Sequence, residues 1–223
     1  VVDVLNAHDV PLVGGHSSEG AELSLGLTIT GEVELPLLTK AALLPGDLLL
    51  LSKPIGTGVL FAAHMRGRLA SNLMEKVVAN MDHSNALALK VLRMHAVRAA
   101  TDVSGFGLLG HLGEMLRAGG VGVSIELHNV PRLPGASEAM DSGNASSLQA
   151  NNELALADFE FVGCLPGDTA VRLLVDPQTS GGLLAAVPNN EAETCLRDLR
   201  SAGYHDAAII GRVEEDGSRL IHA

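Results

Sequence analysis

Residues 101–111 read TDVSGFGLLGH, a run in which a carboxylate comes directly before a glycine-rich turn. Gly105 and Gly107 predict backbone conformations that are closed to other residues and a close approach to a ligand. An apolar pattern of helical spacing follows, and the N-terminal end of a helix presents unpaired N–H groups that suit a phosphate. Asp102 beside that end suits the hard cation that accompanies phosphates. The run therefore predicts a nucleotide–Mg²⁺ site.

A second interpretation of Asp102 is open at this point. An aspartate in the turn before a helix commonly accepts hydrogen bonds from the first N–H groups of that helix. Asp102 could therefore be a helix cap with no ligand, and the residue types alone do not separate the two roles.

The chain on both sides of this run predicts strands and helices in irregular order. Alternating or continuous apolar runs predict strands, and apolar residues three and four apart predict helices. The strands are expected at 23–33, 47–52, 121–127, 171–175, 183–187 and 207–213, and the helices at 59–64, 70–95 with a break near 82–84, 108–118 and 190–202. Because several strands follow one another without a helix between them, the fold class is α+β, a sandwich with a mixed sheet.

The composition excludes several classes of function. The 223 residues carry a formal net charge of −11 and no basic stripe, which argues against nucleic-acid binding. No apolar run approaches the roughly 20 residues that a membrane helix needs. The two cysteines have no C-x-x-C partner, which makes zinc an unlikely ligand and favours reduced thiols in the cytoplasm.

Two further glycine-containing motifs have open roles. Gly14, Gly15, His16 and Ser17 could form an anion-binding nest with two side-chain donors, or an ordinary turn before the strand expected at 23–33. The run 176–182, DPQTSGG, has the composition of a tight turn, although Thr179 and Ser180 could also donate to a phosphate.

Five other residues are weighed as candidates. His111 lies one turn into the predicted helix and could be a base or a satisfied histidine on the helix flank. Asn151 and Asn152 are expected to be surface amides. Cys164 and Cys195 are expected to be small core residues, since no histidine-containing signature lies near either.

Three of these motifs together resemble one family. The run TDVSGFGLLGHLGEM, the run GGHS at 14–17 and the run DPQTSGGLL at 176–184 resemble segments of the selenophosphate synthetases (selenide, water dikinases), in the same order. The resemblance extends from about Val10 to Arg212. It implies an α+β C-terminal domain of the aminoimidazole ribonucleotide synthetase-like superfamily at 42–223, preceded by the last strands of an ATP-binding domain at 1–41.

The resemblance also implies the chemistry. Selenide, ATP and water would give selenophosphate, AMP and phosphate, with Asp102 as a Mg²⁺ ligand and the loop 14–17 contacting ATP, in a homodimer. The nucleophilic cysteine or selenocysteine, its lysine and the other acidic metal ligands would belong to an N-terminal section before Val1. We therefore expect no catalytic residue in this chain, and no dikinase activity from it alone. Another ATP-dependent enzyme of the superfamily, or a dimerisation or regulatory module, are the alternatives.

Overall fold

The computed structural model describes residues 1–33 and 35–223, which divide into two units, Val1–Leu37 and Leu38–Ala223. The first unit begins with helix α1 (Val2–Ala7). The described residues that follow it in this unit contain no further helix and no strand, and nearly all of them are exposed. The first unit therefore has no hydrophobic core among its described residues.

The second unit contains eight α-helices, two short 3-10 helices (Leu127–Asn129 and Glu153–Asp158) and seven strands. Its α-helices are α2 (Thr57–Met65), α3 (Ser71–Asp82), α4 (Ala86–Met94), α5 (Gly107–Gly119), α6 (Ala136–Asp141), α7 (Gln149–Asn152), α8 (Thr169–Leu173) and α9 (Asn189–Ser201). Its strands are β1 (Leu48–Leu51), β2 (Ala99–Asp102), β3 (Gly122–Glu126), β4 (Glu160–Val162), β5 (Leu183–Val187), β6 (Ala208–Glu214) and β7 (Arg219–His222).

The seven strands form one mixed sheet in the order β2-β5-β1-β6-β3-β7-β4. The pairs from β2 to β3 are antiparallel, whereas β7 runs parallel to both β3 and β4. Strand β2 therefore lies at one edge of the sheet, and its last residue, Asp102, pairs with Leu183 at the start of β5. The predicted α+β fold with a mixed sheet is confirmed.

The centre of the sheet is covered on both faces, which explains the four consecutive leucines of β1. Leu49 and Leu51 belong to the larger core cluster, together with residues of α2, α5 and α8. Leu50 points to the opposite face and belongs to a second cluster with residues of α4 and α9. A strand that is buried on both faces reads as a continuous apolar run, because successive side chains alternate between the faces.

Most of the predicted elements are confirmed, including the break between α3 and α4 and the helix expected at 108–118, which is α5. Helix α5 ends at Gly119, and the left-handed Gly120 follows it. Two predicted strands are wrong. The run 171–175 is helical over Thr169–Leu173, because a short buried apolar run fits a helix and a strand equally well. Strands β2, β4 and β7 and helices α6 and α7 were not predicted.

The strand expected at 23–33 is the second error. Its apolar residues are exposed: Leu23 is 102 % exposed and Ile29 is 75 % exposed. The alternation is present in the sequence, but a strand also needs a neighbour that accepts and donates its backbone hydrogen bonds. Among the described residues no strand pairs with this segment, so the pattern has no partner to fold against.

Candidate nucleotide and metal site

Asp102 is the last residue of the edge strand β2, and its side chain is exposed. No described side chain donates a hydrogen bond to its carboxylate. The residue that caps helix α5 is Phe106, and no side chain forms a cap hydrogen bond there. The capping interpretation of Asp102 is therefore wrong, and the carboxylate remains available to a ligand.

A shallow depression surrounds the Asp102 carboxylate. Asp102 and Thr101 line it from β2, and Thr39 and Lys40 line it from the segment beside this strand. The Ala100 amide donates to the Thr39 carbonyl at 3.2 Å, which holds that segment along the sheet edge. Among residues 1–33 and 35–223, no three His, Cys, Asp or Glu side chains converge as a metal site. Asp102 is thus a single carboxylate open to solvent.

The glycine-rich turn has one conformationally required glycine. Gly107 has φ +70°, and a Cβ built on it would lie 2.7 Å from the Val175 carbonyl carbon. Gly105, in contrast, has no atom within 4 Å of its Cβ position and no positive φ. The expectation that both glycines adopt conformations closed to other residues is therefore confirmed only for Gly107.

The N-terminal end of α5 is partly closed by the protein itself. The Gly107 amide donates to the Ser104 carbonyl at 2.9 Å, and the Leu109 amide donates to the Leu174 carbonyl at 3.0 Å. Leu108 and Leu109 are fully buried. The expectation that this helix end presents unpaired N–H groups to a phosphate is therefore wrong for two of them, because one is bonded within the turn and the other to the end of α8.

Three side chains beside the turn form a polar line. Ser104 Oγ lies 3.1 Å from His111 Nε2, and His111 Nδ1 lies 3.3 Å from Glu114 Oε2, outside hydrogen-bond alignment. Lys40 Nζ donates to the same Glu114 oxygen at 2.5 Å. His111 therefore has polar neighbours on both ring nitrogens, although it is only 5 % exposed.

The run 176–182 caps the N-terminal end of helix α2, although the two segments are far apart in sequence. Gln178 Oε1 accepts hydrogen bonds from the Gly56 and Thr57 amides and from Thr57 Oγ1 at 2.9–3.1 Å. Asp176 Oδ2 accepts from the Gly58 amide at 3.0 Å. The first N–H groups of α2 are thus satisfied by side chains more than 110 residues away in sequence.

The same run also fixes the strand end that bears Asp102. The Gln178 amide donates to the Ser104 carbonyl at 3.0 Å, and the Val103 amide donates to the Gly182 carbonyl at 2.9 Å. A Cβ on Gly181 would lie 2.3 Å from the Val103 carbonyl oxygen. The run 176–182 and the run 101–111 are therefore in direct backbone contact. The contacts of 176–182 are structural, as the turn interpretation expects.

Lys53 joins the end of α3 to the run 176–182, and it was not among the predicted site residues. Its ammonium donates to three backbone carbonyls, those of Asn80, His83 and Ser180, at 2.6–3.0 Å. Lys53 is 2 % exposed, and burial lowers the pKa of its ammonium from 10.5 to about 8. A buried lysine with no carboxylate partner cannot be recognised from sequence, because its acceptors are main-chain atoms.

The lowered pKa of Lys53 predicts a pH dependence of stability. The native state loses this proton near pH 8 and the unfolded chain near pH 10.5, so the free energy of unfolding rises between these values. Relative to Lys53→Met, the wild type should gain roughly 1–2 kcal/mol between pH 8 and pH 9.5. Urea unfolding at both pH values measures this difference, and parallel changes in the two proteins would contradict it.

Asn152 is a second residue whose role was not foreseen. Its side-chain amide donates to the Gly105 carbonyl at 2.9 Å and to the Val175 carbonyl at 3.0 Å. The expectation of a surface amide is therefore wrong, because Asn152 joins the glycine-rich turn to the end of α8.

Both cysteines are free; Cys195 is buried as expected, and Cys164 is partly buried.

The loop 14–17 belongs to the first unit. Gly14, Gly15, His16 and Ser17 are exposed, and a Cβ on either glycine would have no atom within 4 Å. None of the four has a hydrogen bond to another described residue. Within the first unit, the loop 14–17 is therefore exposed to solvent.

Within the described residues, no helix has the length and apolar character that crossing a bilayer requires.

The fold and the sheet-edge carboxylate define a class of protein. Residues 45–222 match the family described as AIR synthase related protein, C-terminal domain, and the chain belongs to this family. Among solved structures, E. coli HypE, a hydrogenase maturation protein, is similar with a TM-score of 0.59 and 22 % identity over 82 % of this chain and 48 % of that one. Thiamine-monophosphate kinase from Stenotrophomonas maltophilia has a TM-score of 0.56 and 17 % identity over 82 % and 52 %. These similarities concern the fold.

Curated relatives give a more specific similarity. The chain is 42 % identical over 216 residues to the selenide, water dikinase of Pelobacter propionicus, covering 96 % of this chain and 62 % of the relative. It is 38 % identical over 213 residues to the selenide, water dikinase of Clostridioides difficile, covering 94 % and 61 %. The chain thus spans about three fifths of the length of these relatives. The resemblance to this family is confirmed, and the other enzymes of the superfamily are not favoured.

Proposed function

We propose that this chain is the C-terminal portion of a selenide, water dikinase, an ATP-dependent phosphotransferase. The protein that carries it would make selenophosphate from selenide, ATP and water and release AMP and phosphate. The identity to two dikinases along at least 94 % of the chain is the observation that carries this proposal. In this proposal, residues 1–41 end the ATP-binding domain, and residues 42–223 form the C-terminal domain.

Asp102 is the residue of this chain that we propose as a Mg²⁺ ligand. Its carboxylate is exposed and has no partner among the described residues, which fits a hard cation. Mg²⁺ commonly takes one or two protein carboxylates and completes its octahedron with phosphate oxygens and water. A Mg²⁺ ion bound there would neutralise phosphate charge. Without the ion, the carboxylate would repel a polyphosphate, and the net charge of −11 would add to that repulsion.

The loop 14–17 is proposed to contact ATP from the first unit. Its exposed glycine amides and the side chains of His16 and Ser17 have no hydrogen-bond partner among the described residues, so they can donate to phosphate oxygens. Phosphoryl transfer depends mainly on positioning and charge neutralisation, and such donors supply both. Homodimerisation and a cytoplasmic location belong to the same proposal; the free thiols of Cys164 and Cys195 are compatible with a reducing compartment.

Replacing Asp102 tests the metal role. In the full-length protein that carries this chain, Asp102→Asn should weaken ATP–Mg²⁺ binding at least tenfold in calorimetry, because it removes one charged ligand at nearly constant volume. The matched control is Asp206→Asn, an exposed aspartate between α9 and β6, which should bind like the wild type. Equal affinity of all three proteins would contradict the metal role of Asp102.

A second measurement tests the activity. The full-length protein should form AMP from ATP in a selenide-dependent manner, whereas the 223 residues alone should not. Absence of selenide-dependent AMP formation by the full-length protein would contradict the proposed function.

A further inference from the structure

Ser104, His111 and Glu114 form a line from the glycine-rich turn to the flank of helix α5. Ser104 Oγ lies 3.1 Å from His111 Nε2, and Nδ1 of the same ring lies 3.3 Å from Glu114 Oε2. A hydroxyl, an imidazole and a carboxylate in this order make up the arrangement by which a histidine takes a proton from a hydroxyl and a carboxylate stabilises the resulting imidazolium. The order of the three groups does not by itself show that they transfer a proton, so their burial and their contacts have to be considered.

The histidine at the centre is held in place. The Phe106 ring lies against the His111 ring, with the two centroids 5.5 Å apart. This position of Phe106 depends on Gly110, since a Cβ at that residue would lie 2.7 Å from the Phe106 Cβ. His111 is buried as a result, whereas Ser104 stays partly exposed. The line thus leads from a hydroxyl that solvent reaches to a base that solvent does not.

The open end of the line, Ser104, follows Asp102 by two residues in the chain. Asp102 is exposed, Val103 is buried and Ser104 is half-buried, an alternation typical of extended backbone. The bond from the Val103 amide to the Gly182 carbonyl continues the β2–β5 pairing by one residue. Ser104 therefore lies just beyond the end of this pairing, and its side chain turns towards His111 on α5. At the other end, Lys40 both lines the Asp102 depression and binds Glu114.

The charges at the far end suit a proton acceptor. The hydrogen bond and the positive charge of Lys40 lower the pKa of Glu114, so this carboxylate stays ionised. An ionised Glu114 favours a proton on His111 Nδ1, which leaves Nε2 free to accept from the Ser104 hydroxyl. The contact between Nδ1 and Glu114 is slightly long, and contacts of this kind commonly tighten when a ligand binds.

We propose that Ser104, His111 and Glu114 are a proton relay for the water that attacks a phosphoanhydride at the Asp102 site. This inference rests on the proposed function, which consumes one water per turnover. The water oxygen forms a bond to phosphorus, and the bond from phosphorus to the leaving phosphate oxygen breaks. A water proton passes to Ser104 Oγ as the Ser104 proton passes to His111 Nε2. The imidazolium later returns its Nε2 proton to Ser104 Oγ, and the partly exposed hydroxyl releases a proton to solvent.

The tautomer of His111 tests the relay without any activity. In ¹⁵N-labelled protein, long-range ¹H–¹⁵N spectra report which ring nitrogen carries the proton, and His111→Gln assigns the signal. The relay requires a protonated Nδ1 and an unprotonated Nε2 in the wild type, and a loss of this preference in Glu114→Gln. A proton on Nε2, donated to Ser104, would overturn the proposal, because His111 could then accept nothing from the hydroxyl.

Kinetics of the full-length protein provide the second test. Ser104→Ala and His111→Gln should lower kcat for AMP formation by a hundredfold or more, with KM for ATP within threefold, because a relay acts on the chemical step. Ser104→Thr retains the hydroxyl and should retain most of the activity. An unchanged kcat in Ser104→Ala would overturn the relay. If the wild type forms no AMP, the proposed function fails, and the tautomer still decides the relay.

Discussion

Gly107→Ala is expected to lower the free energy of unfolding by roughly 2–5 kcal/mol, the sum of a left-handed alanine and an overpacked contact. Gly107 has φ +70°, a conformation that an L side chain adopts at a cost. The new methyl carbon would also lie 2.7–2.8 Å from three backbone atoms of Val175, and backbone cannot rotate away as a side chain can. Urea unfolding of the 223-residue chain measures the loss.

Gly105→Ala, two residues earlier in the same turn, is the matched control. Its Cβ position has no atom within 4 Å and its φ is not positive, so its free energy of unfolding should stay within about 0.5 kcal/mol of the wild type. If both alanine variants lower the free energy of unfolding by the same amount, glycine is required in this turn for its flexibility and not for the close contact with Val175. That result would contradict the packing argument.

Asp176→Asn is expected to change how stability depends on pH. Asp176 is fully buried, and burial raises the pKa of its carboxyl group from 3.8 to about 7, in spite of hydrogen bonds from the Val59 and Gly58 amides and the Gln178 side chain. Its second oxygen, Oδ1, has no partner. Because the native state holds this proton up to about pH 7 and the unfolded chain only to about pH 4, wild-type stability falls as pH rises between these values.

An asparagine cannot ionise, so its variant lacks this fall. The free energy of unfolding of Asp176→Asn, relative to the wild type, should therefore rise by up to about 4 kcal/mol from pH 4 to pH 8. The amide oxygen can keep the bond from the Gly58 amide. Thermal or urea unfolding across this range measures the difference, with Asp206→Asn as the exposed control. Parallel curves for Asp176→Asn and the wild type would contradict a buried, proton-binding Asp176.

Much of the second unit follows from local pattern. The helical spacing at 108–118, the alternation at 121–127 and the leucines of β1 are enough to predict three elements, because each pattern depends on its own residues. The failures occur where the partner decides the structure. Residues 23–33 have a strand pattern without a pairing strand, and residues 171–175 have an apolar run that packs as a helix.

The residues of the candidate site likewise divide into those that local sequence predicts and those that only the tertiary contacts reveal. Asp102 could be singled out from sequence, because a carboxylate directly before a glycine-rich turn is a local signal. Lys53, Gln178 and Asn152 could not, because their hydrogen-bond partners are main-chain atoms brought to them by other segments. Only one member of the line from Ser104 to Glu114 could be predicted. His111 was a candidate base from sequence, but its contacts with Ser104 and Glu114 form only when α5 packs beside the turn.

The sequence by itself determined the fold class and the family resemblance and singled out Asp102 as a candidate ligand, because periodicity and short motifs are properties of neighbouring residues. Only the tertiary structure decided what those motifs do to one another. It showed that 176–182 caps α2 and holds the end of β2, that Asp176 and Lys53 are buried, and that His111 lies between Ser104 and Glu114. Such contacts join residues that are distant in sequence, and burial shifts a pKa only after the whole unit has excluded water.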